Sequence, residues 1–264
     1  MSSPTHLDTA LDLAEQAGTL MLRNFAIQMR AEWKDERSPV TETDFAINNL
    51  VLEQIKARYP GHSILAEEGS SHDPSHEYVW ICDPVDGTHN FSHGLPTATF
   101  ALALLRAGQP ILGLVHDPFE ERTFYAEKGK GAFLNGLPIR VSPAVSLTKT
   151  LVGLGKTRTL KNLFPVMDVL YQKGASMVSG LSIHYVSALV SCGEFSASVF
   201  GGVSAHDMTP AKIIVEEAGG RVTDLYGAIP GRFDEPMRGQ VCSNGLVHDE
   251  VLAALALGPD LKTI

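Results

Sequence analysis

Two carboxylates three residues apart, Asp83 and Asp86, stand in the run Asp83-Pro84-Val85-Asp86-Gly87-Thr88, directly after the aromatic and β-branched segment Tyr78-Val79-Trp80-Ile81-Cys82. Pro84 stiffens the chain and Gly87 frees it, so the expectation is a rigid turn that aims both carboxylates at one point. Hard oxygen donors converging in this way suit Mg²⁺, which prefers carboxylate, carbonyl and water to imidazole or thiolate, and the Val85 carbonyl could join them. The following Thr88-His89-Asn90-Phe91 can open a short helix whose N–H groups face the same point and hold an anion. An isolated Asp-x-x-Asp-Gly also has the composition of an ordinary turn, so the rest of the chain has to decide.

Three further acidic positions could join the pair, and each has an ordinary structural reading of its own. Glu67-Glu68-Gly69 ends a short strand candidate at 63–66, where acidic residues commonly face solvent. Asp207 precedes Met208-Thr209-Pro210-Ala211, which reads as a helix begun by proline over 209–218 and stopped by Gly219-Gly220, with Asp207 as its cap. Thr41-Glu42-Thr43-Asp44 reads as the start of a helix.

These side chains need elements to hold them. Leu7, Leu11, Ala14, Gly18, Met21, Leu22 and Phe25 recur at helical spacing, and Thr5 with Asp8 resembles a capping box, giving a first helix over about 5–27. After the polar stretch Lys34 to Pro39, Ile47, Leu50, Val51 and Ile55 mark a second helix, ended by Tyr59-Pro60-Gly61. Residues 97–106 and 111–116 flank a turn at Ala107-Gly108-Gln109-Pro110, and segments at 122–126 and 132–134 continue an antiparallel meander. From Leu151 strands and helices alternate: strand 151–155, helices near 161–172 and 182–192, strand 195–200, helix 209–218, strands 221–224 and 240–243, helix 247–256. Helices packed on sheets in layers are the result expected of such an order.

The 264 residues and 44% hydrophobic content are enough for a substantial core and exclude a disordered chain. With 21 Lys+Arg against 30 Asp+Glu the formal charge is −9, which excludes tight binding of a nucleic acid polymer through its phosphates, although cations could bring a small phosphate to an acidic site. Cys82, Cys192 and Cys242 are odd in number and far apart, so reduced thiols in a cytoplasm are expected. Asp8, Asp12 and Glu15 near the start are unlike an export signal, and no run approaches about eighteen apolar residues, so no membrane partner is expected. Without repeats or long linkers, residues 1–264 read as a single catalytic domain, with lobes of roughly 1–146 (metal and phosphate site) and 147–264 (substrate side, with Asp207).

Taken together, Lys34, Ser38-Pro39-Val40-Thr41-Glu42-Thr43-Asp44, Glu67-Glu68, Asp83 to Phe91, and Asp207 followed by Glu216-Glu217-Ala218-Gly219-Gly220 resemble the inositol monophosphatase family in order and approximate spacing. Gly129 to Gly136 looks like that family's hairpin segment. The resemblance implies an α+β fold, a layered αβαβα sandwich with helices between and around two mixed sheets. It implies Mg²⁺-dependent hydrolysis of a small phosphomonoester of the inositol or sugar phosphate type, without a covalent intermediate. One Mg²⁺ would take Glu67, Asp83 and the Val85 carbonyl; a second would share Asp83 and add Asp86 and Asp207; a third, mostly hydrated, is held near Glu67 by some members. Thr88 bonded to Asp44 would orient the attacking water, and Lys34 would balance charge nearby, with Glu68 as its partner. Asp86, Gly87, Thr88, Lys156, Ser182 and Phe200 would contact phosphate or substrate. A homodimer and a small phosphorylated metabolite as partner are implied by the same resemblance.

The chain departs from the family's animal members in two places. Ala205-His206 precedes Asp207 where those enzymes have Trp before the aspartate, and Phe200 stands where they have a Glu that contacts a substrate hydroxyl. An aromatic ring cannot accept that hydrogen bond, so the leaving group stays open among inositol, sugar and histidinol phosphates, fructose bisphosphate and adenosine 3′,5′-bisphosphate. Two readings of another class compete. Gly153-Leu154-Gly155-Lys156-Thr157 looks like the end of a P-loop, but Thr150 stands where its first glycine belongs. A zinc-binding module could use the pairs His89/His93 or His72/His76, which lack a third ligand in the sequence.

Overall fold

Alternation along the central strands fixes which side chains meet which layer. In a computed structural model the described residues are 4–25, 32–35, 38–71, 73, 75–155, 163–202 and 204–257, with backbone alone for 32–35, 38 and 39. The first half runs α1 (His6–Asn24), β1 (Glu32–Asp35), β2 (Ser38–Val40), α2 (Glu42–Arg58), β3 (His62–Ala66), β4 (Tyr78–Asp86), α3 (Thr88–Ser92), β5 (Thr99–Arg106), β6 (Gln109–Asp117), β7 (Arg122–Glu127), β8 (Ala132–Leu134) and β9 (Leu137–Pro138). The second half runs β10 (Leu151–Gly155), α4 (Phe164–Gln172), β11 (Ser176–Ser179), α5 (Ile183–Ser191), β12 (Ala197–Phe200), α6 (Ala205–Glu217), β13 (Arg221–Thr223), β14 (Gln240–Ser243) and α7 (His248–Ala256).

Strands β3 to β9 lie side by side in chain order as a seven-stranded sheet, with β3 parallel to β4 and the rest antiparallel. A five-stranded sheet has the order β11-β10-β12-β14-β13, parallel about β10 and antiparallel about β14. Both sheets are mixed, as expected. Trp80, Cys82, Phe100, Leu102 and Leu104 point to one face of the large sheet and pack on Leu13, Ala17, Met21, Ile47, Val51 and Ile55 of α1 and α2. Their neighbours Val79, Ile81, Ala101, Ala103 and Leu105 point to the other face, against Val186 and Leu189 of α5 and Ala211 and Ile214 of α6. Cys242 and Phe200 of the small sheet close this middle layer from below. On the sheet's far side Val152, Leu154, Val199 and Val241 pack on Val166 and Leu170 of α4 and Val251 and Leu255 of α7. The order is helix, sheet, helix, sheet, helix, the expected αβαβα sandwich.

Helix α6 lies directly on the large sheet because β6 offers it a glycine. A Cβ at Gly113 would stand 2.4 Å from the Pro210 carbonyl oxygen and 2.5 Å from Ile213. This close approach brings the first turn of α6 over the end of β4.

Several boundaries differ from the sequence reading. The turn before β6 is the two residues Ala107 and Gly108, with φ of 51° and 76°, so Gln109 and Pro110 belong to the strand. Helix α1 ends at Asn24 rather than near 27. The polar stretch around Lys34 contains a hairpin, with β1 antiparallel to β2.

Candidate active site

The two aspartates of β4 meet through a bulge, not the expected turn. The strand continues to Asp86, and its register with β5 pairs Asp83 with Ala101 and Asp86 with Thr99, three steps against two. Residues three apart on a regular strand face opposite sides; one extra residue cancels that alternation and turns both carboxylates to the same side. Pro84 has no N–H to give a ladder and sits inside the bulge, while Gly87, at φ 90°, ends the strand and starts α3. Helix α3 has five residues, too short for its dipole alone to make the anion site expected from the sequence.

Glu67 follows β3, the parallel neighbour of β4, and its N–H extends the ladder to the Cys82 carbonyl at 3.2 Å. Asp207 is neither a cap nor ahead of its helix: α6 begins at Ala205 with Ser204 as N-cap, so Asp207 lies in the first turn and Pro210 lies inside. Proline cannot donate to the carbonyl four residues back, and that carbonyl, of His206, instead accepts from His184 Nε2 at 2.7 Å. Asp44 sits in the first turn of α2, where its Oδ2 accepts from both N–H and Oγ1 of Thr41.

Glu67, Asp83, Val85, Asp86, Gly87, Thr88, Ser182, Phe200 and Asp207 line one open pocket of about 390 Å³. Asp83 is 3% exposed, and its Oδ1 is buried without any hydrogen-bond partner among the described residues. Burial first, then the charges of Glu67, Asp86, Asp207 and Asp44, push the Asp83 carboxyl well above the usual range. Asp207 keeps 28% of its side chain open to the pocket, yet the protein around it, with Glu67 and Asp86, pushes its carboxyl up to about 7. Burial likewise raises Asp44, against the opposing hydrogen bonds from Thr41 and Thr88. Carboxylates gathered this closely repel unless a cation stands among them, and an all-oxygen donor set fits a hard divalent ion.

Asp86 is tied across the layers. Its Oδ2 accepts from Ser182 Oγ at 2.5 Å and from the His184 N–H at 2.6 Å, and Ser182 also caps α5 and contacts Thr99 Oγ1 at 3.0 Å. The tightest grouping of ligand atoms among the described residues joins Asp83, Asp86 and His184, all within 4.8 Å of one another. His184 was missed in the sequence, because a histidine in an apolar helical stretch reads as core. Thr88 Oγ1 has one proton for two acceptors, the Val85 carbonyl at 2.8 Å and Asp44 Oδ1 at 3.1 Å.

The remaining expected contacts divide. Phe200 reaches the pocket but is 1% exposed; its ring lies over Gly155, where a Cβ would stand 1.9 Å from Phe200 Cδ1. Lys34 lies on β1, but its side chain is outside the described residues, as are all of Lys156 and its neighbours Thr157 and Arg158. Gly153 and Leu154 pair with β11 and β12 on both sides, so the P-loop reading loses its loop. His89 and His93 stack at 4.5 Å, with His93 Nδ1 2.7 Å from the His89 carbonyl, and among the described residues they join no metal-ligating group. His72 lies outside the described residues.

The sequence pattern described as the inositol monophosphatase family fits residues 4–257. The chain belongs to this family. It is 33% identical over 250 residues to the fructose-1,6-bisphosphatase/inositol-1-monophosphatase of Thermotoga maritima, covering 93% of this chain and 94% of that protein. It is equally 33% identical over 233 residues to the Nus factor SuhB of Pseudomonas aeruginosa, covering 84% and 86%. Among solved structures, the Thermotoga maritima IMPase TM1415 superposes with a TM-score of 0.87 at 33% identity, over 95% of this chain and 96% of that one. Membership makes the chain a phosphatase of small phosphate esters, in agreement with the sequence reading. The family uses metal ions, and the acidic cluster of this inositol monophosphatase homologue can bind one. Among its described residues no helix is long and apolar enough to cross a membrane.

Proposed function

We propose that the chain hydrolyses a small phosphomonoester with Mg²⁺ held by Glu67, Asp83, the Val85 carbonyl, Asp86 and Asp207. The observation that carries this reading is Asp83 Oδ1, a buried oxygen without a partner among the described residues, inside a ring of carboxylates where burial and neighbouring charge raise the pKa of Asp83 and Asp207. Two ions, with a third more hydrated, fit the number of carboxylates. Divalent ions there would lower the pKa of water and neutralise charge growing on the leaving oxygen.

The chain's own groups do the rest. When the Thr88 hydroxyl donates to Asp44 Oδ1, its lone pairs turn to the pocket and can take a hydrogen bond from a water there. Asp44, buried and raised in pKa, is a better proton acceptor than an ordinary carboxylate. Ser182 and the His184 N–H hold Asp86 in place, so that it faces the pocket without moving. Asn90 Nδ2 donates to the Gly180 carbonyl and to Thr97 Oγ1, which joins α3 to the loop before α5 on the leaving-group side.

The substrate is read as an inositol or sugar phosphate, the class printed in the name of the Thermotoga maritima relative. Histidinol phosphate, fructose bisphosphate and adenosine 3′,5′-bisphosphate share the same chemistry and are separated by a screen. Gly155, Leu181, Ile183 and Phe200 give the pocket an apolar wall, which disfavours a leaving group bearing hydroxyls on every side. A homodimer in the cytoplasm is the proposed setting.

The test is phosphate release from a panel of sugar, inositol, histidinol and nucleotide monophosphates. Release should require Mg²⁺, stop with chelator, and be abolished in Asp86→Asn and Asp207→Asn with the circular dichroism spectrum retained. Near-full turnover in either variant would overturn the ligand assignment.

A further inference from the structure

His184 is buried behind the carboxylate pair Asp83 and Asp86, and nothing in the hydrolytic reading uses its ring. It is 0% exposed, sits in the first turn of α5, and is pinned at two points. Its backbone N–H donates to Asp86 Oδ2 at 2.6 Å, and its Nε2 stands 2.7 Å from the His206 carbonyl, the acceptor that Pro210 leaves without its helical donor. A carbonyl only accepts, so Nε2 carries the hydrogen and Nδ1 presents a lone pair in the neutral ring. Nδ1 is buried and has no hydrogen-bond partner among the described residues. One ring nitrogen lies within 4.8 Å of an oxygen of Asp83 and of Asp86, and Asp83 Oδ1 is itself without a partner. Both atoms are buried and unpartnered beside the carboxylate pair, and a cation held there would satisfy them.

We infer that His184 Nδ1 is a nitrogen ligand of the cation held by Asp83 and Asp86, making this centre a mixed nitrogen and oxygen site that holds a borderline ion such as Co²⁺ more tightly than an all-oxygen site would. The inference rests on the metal-centre reading above. The Nε2–H bonded to a backbone carbonyl is the support that ligating imidazoles normally have, and it fixes both ring orientation and tautomer. Imidazole suits the later divalent ions, whereas Mg²⁺ prefers oxygen, so the ring biases the choice of ion without adding charge.

The experiment uses the full chain, stripped of metal and reloaded with Mn²⁺ alone for pulsed electron paramagnetic resonance, and titrated with Co²⁺ or Mg²⁺ by calorimetry. In His184→Gln the side-chain amide can still donate to the His206 carbonyl while the Nδ1 lone pair is lost. His184→Ala serves as a second variant, and thermal melts check that each folds. The expected result is a directly coordinated ¹⁴N signal in the wild-type chain that disappears in both variants. With it, Co²⁺ affinity falls by about tenfold or more and Mg²⁺ affinity by less than about threefold. A bound ion with oxygen ligands only, or equal losses for Co²⁺ and Mg²⁺, overturns this inference and leaves the carboxylate centre standing. Failure of any divalent ion to bind the wild-type chain overturns the centre and the inference together.

Discussion

Asp83→Asn should abolish phosphate release and yet stabilise the metal-free protein. The Asp83 and Asp86 oxygens lie within 4.8 Å. At an effective dielectric of about 20, one ionised pair at that separation repels by about 3 kcal/mol. An amide in place of the Asp83 carboxylate removes this repulsion and can donate to the neighbouring oxygens. Incomplete satisfaction of the buried amide returns about 1 kcal/mol, leaving a gain of about 2 kcal/mol. For a chain of this size that corresponds to a rise of about 4–8 °C in Tm.

The sign of the pH dependence separates this from a packing effect. The folded state raises the Asp83 pKa, so it holds a proton that the unfolded chain has released above about pH 3.8. The stability from this group is therefore complete at low pH and declines as pH rises toward the raised value. Thermal melts in chelator should show the advantage of Asp83→Asn over wild type growing as pH rises and shrinking as pH falls, because the wild-type carboxyl takes up its proton well above the usual carboxylate range. Mg²⁺ at about a hundredfold over its Kd adds about 2.7 kcal/mol to the wild-type chain and less to the variant, which reverses the order. A variant less stable than wild type in chelator at pH 8, or a gain independent of pH, would refute the reasoning.

Three other outcomes are expected. Thr88→Val should lower kcat by about a hundredfold or more with KM little changed, while Thr88→Ser, which keeps the hydroxyl between Val85 and Asp44, retains most turnover; steady-state kinetics decide, and an unaffected Val variant would remove Thr88 from the proton path. Gly155→Ala should lower stability by about 1–3 kcal/mol in urea melts because its methyl meets the Phe200 ring, and Phe200→Leu in the same chain should restore part of it. His248 is held neutral by burial, with its pKa down to about 4, its Nε2 bonded to Thr223 and its Nδ1 to Ser243. Its stabilising effect is complete above pH 6.5 and is lost as pH falls toward 4. Wild type should thus lose more stability between pH 7 and pH 5 in urea melts than His248→Gln, and parallel slopes would show that another group carries the acid sensitivity.

Layering was legible from the order of helices and strands, and the five-layer arrangement through the family resemblance; the structure gives the reason, since each central strand carries two apolar sets, Val79 and Ile81 against Trp80 and Cys82, and both faces must be covered. The bulge in β4 was not legible. Pro84 and Gly87 are turn residues in isolation, and only pairing with β5 shows that the strand passes through them. The start of α6 was misplaced for a related reason. Proline favours the first turn of a helix, so Pro210 suggested a start at about 209, whereas the backbone group it orphans is satisfied by His184 in another helix. The β1–β2 hairpin hid in a polar stretch without alternation to mark it. His184 carried no local signal at all, since its partner Asp86 lies 98 residues away.

Apart from Glu67 in the turn after β3, the carboxylates at or beside the pocket come from elements that also carry the core. Asp83 and Asp86 end a strand whose other residues fill both faces of the large sheet, Asp44 opens a helix of the outer layer, and Asp207 opens the helix that rests on Gly113. Repulsion among the carboxylates therefore pulls on whole layers, and what resists it is apolar packing together with the two donors that α5 gives to Asp86 Oδ2. A loop-borne acidic site would relieve the same repulsion by local fraying. For Asp83, Asp86 and Asp207 the relief has no such local route, so a cation that removes their repulsion stabilises the global fold, and the stability of the metal-free chain reports on the charge of the centre.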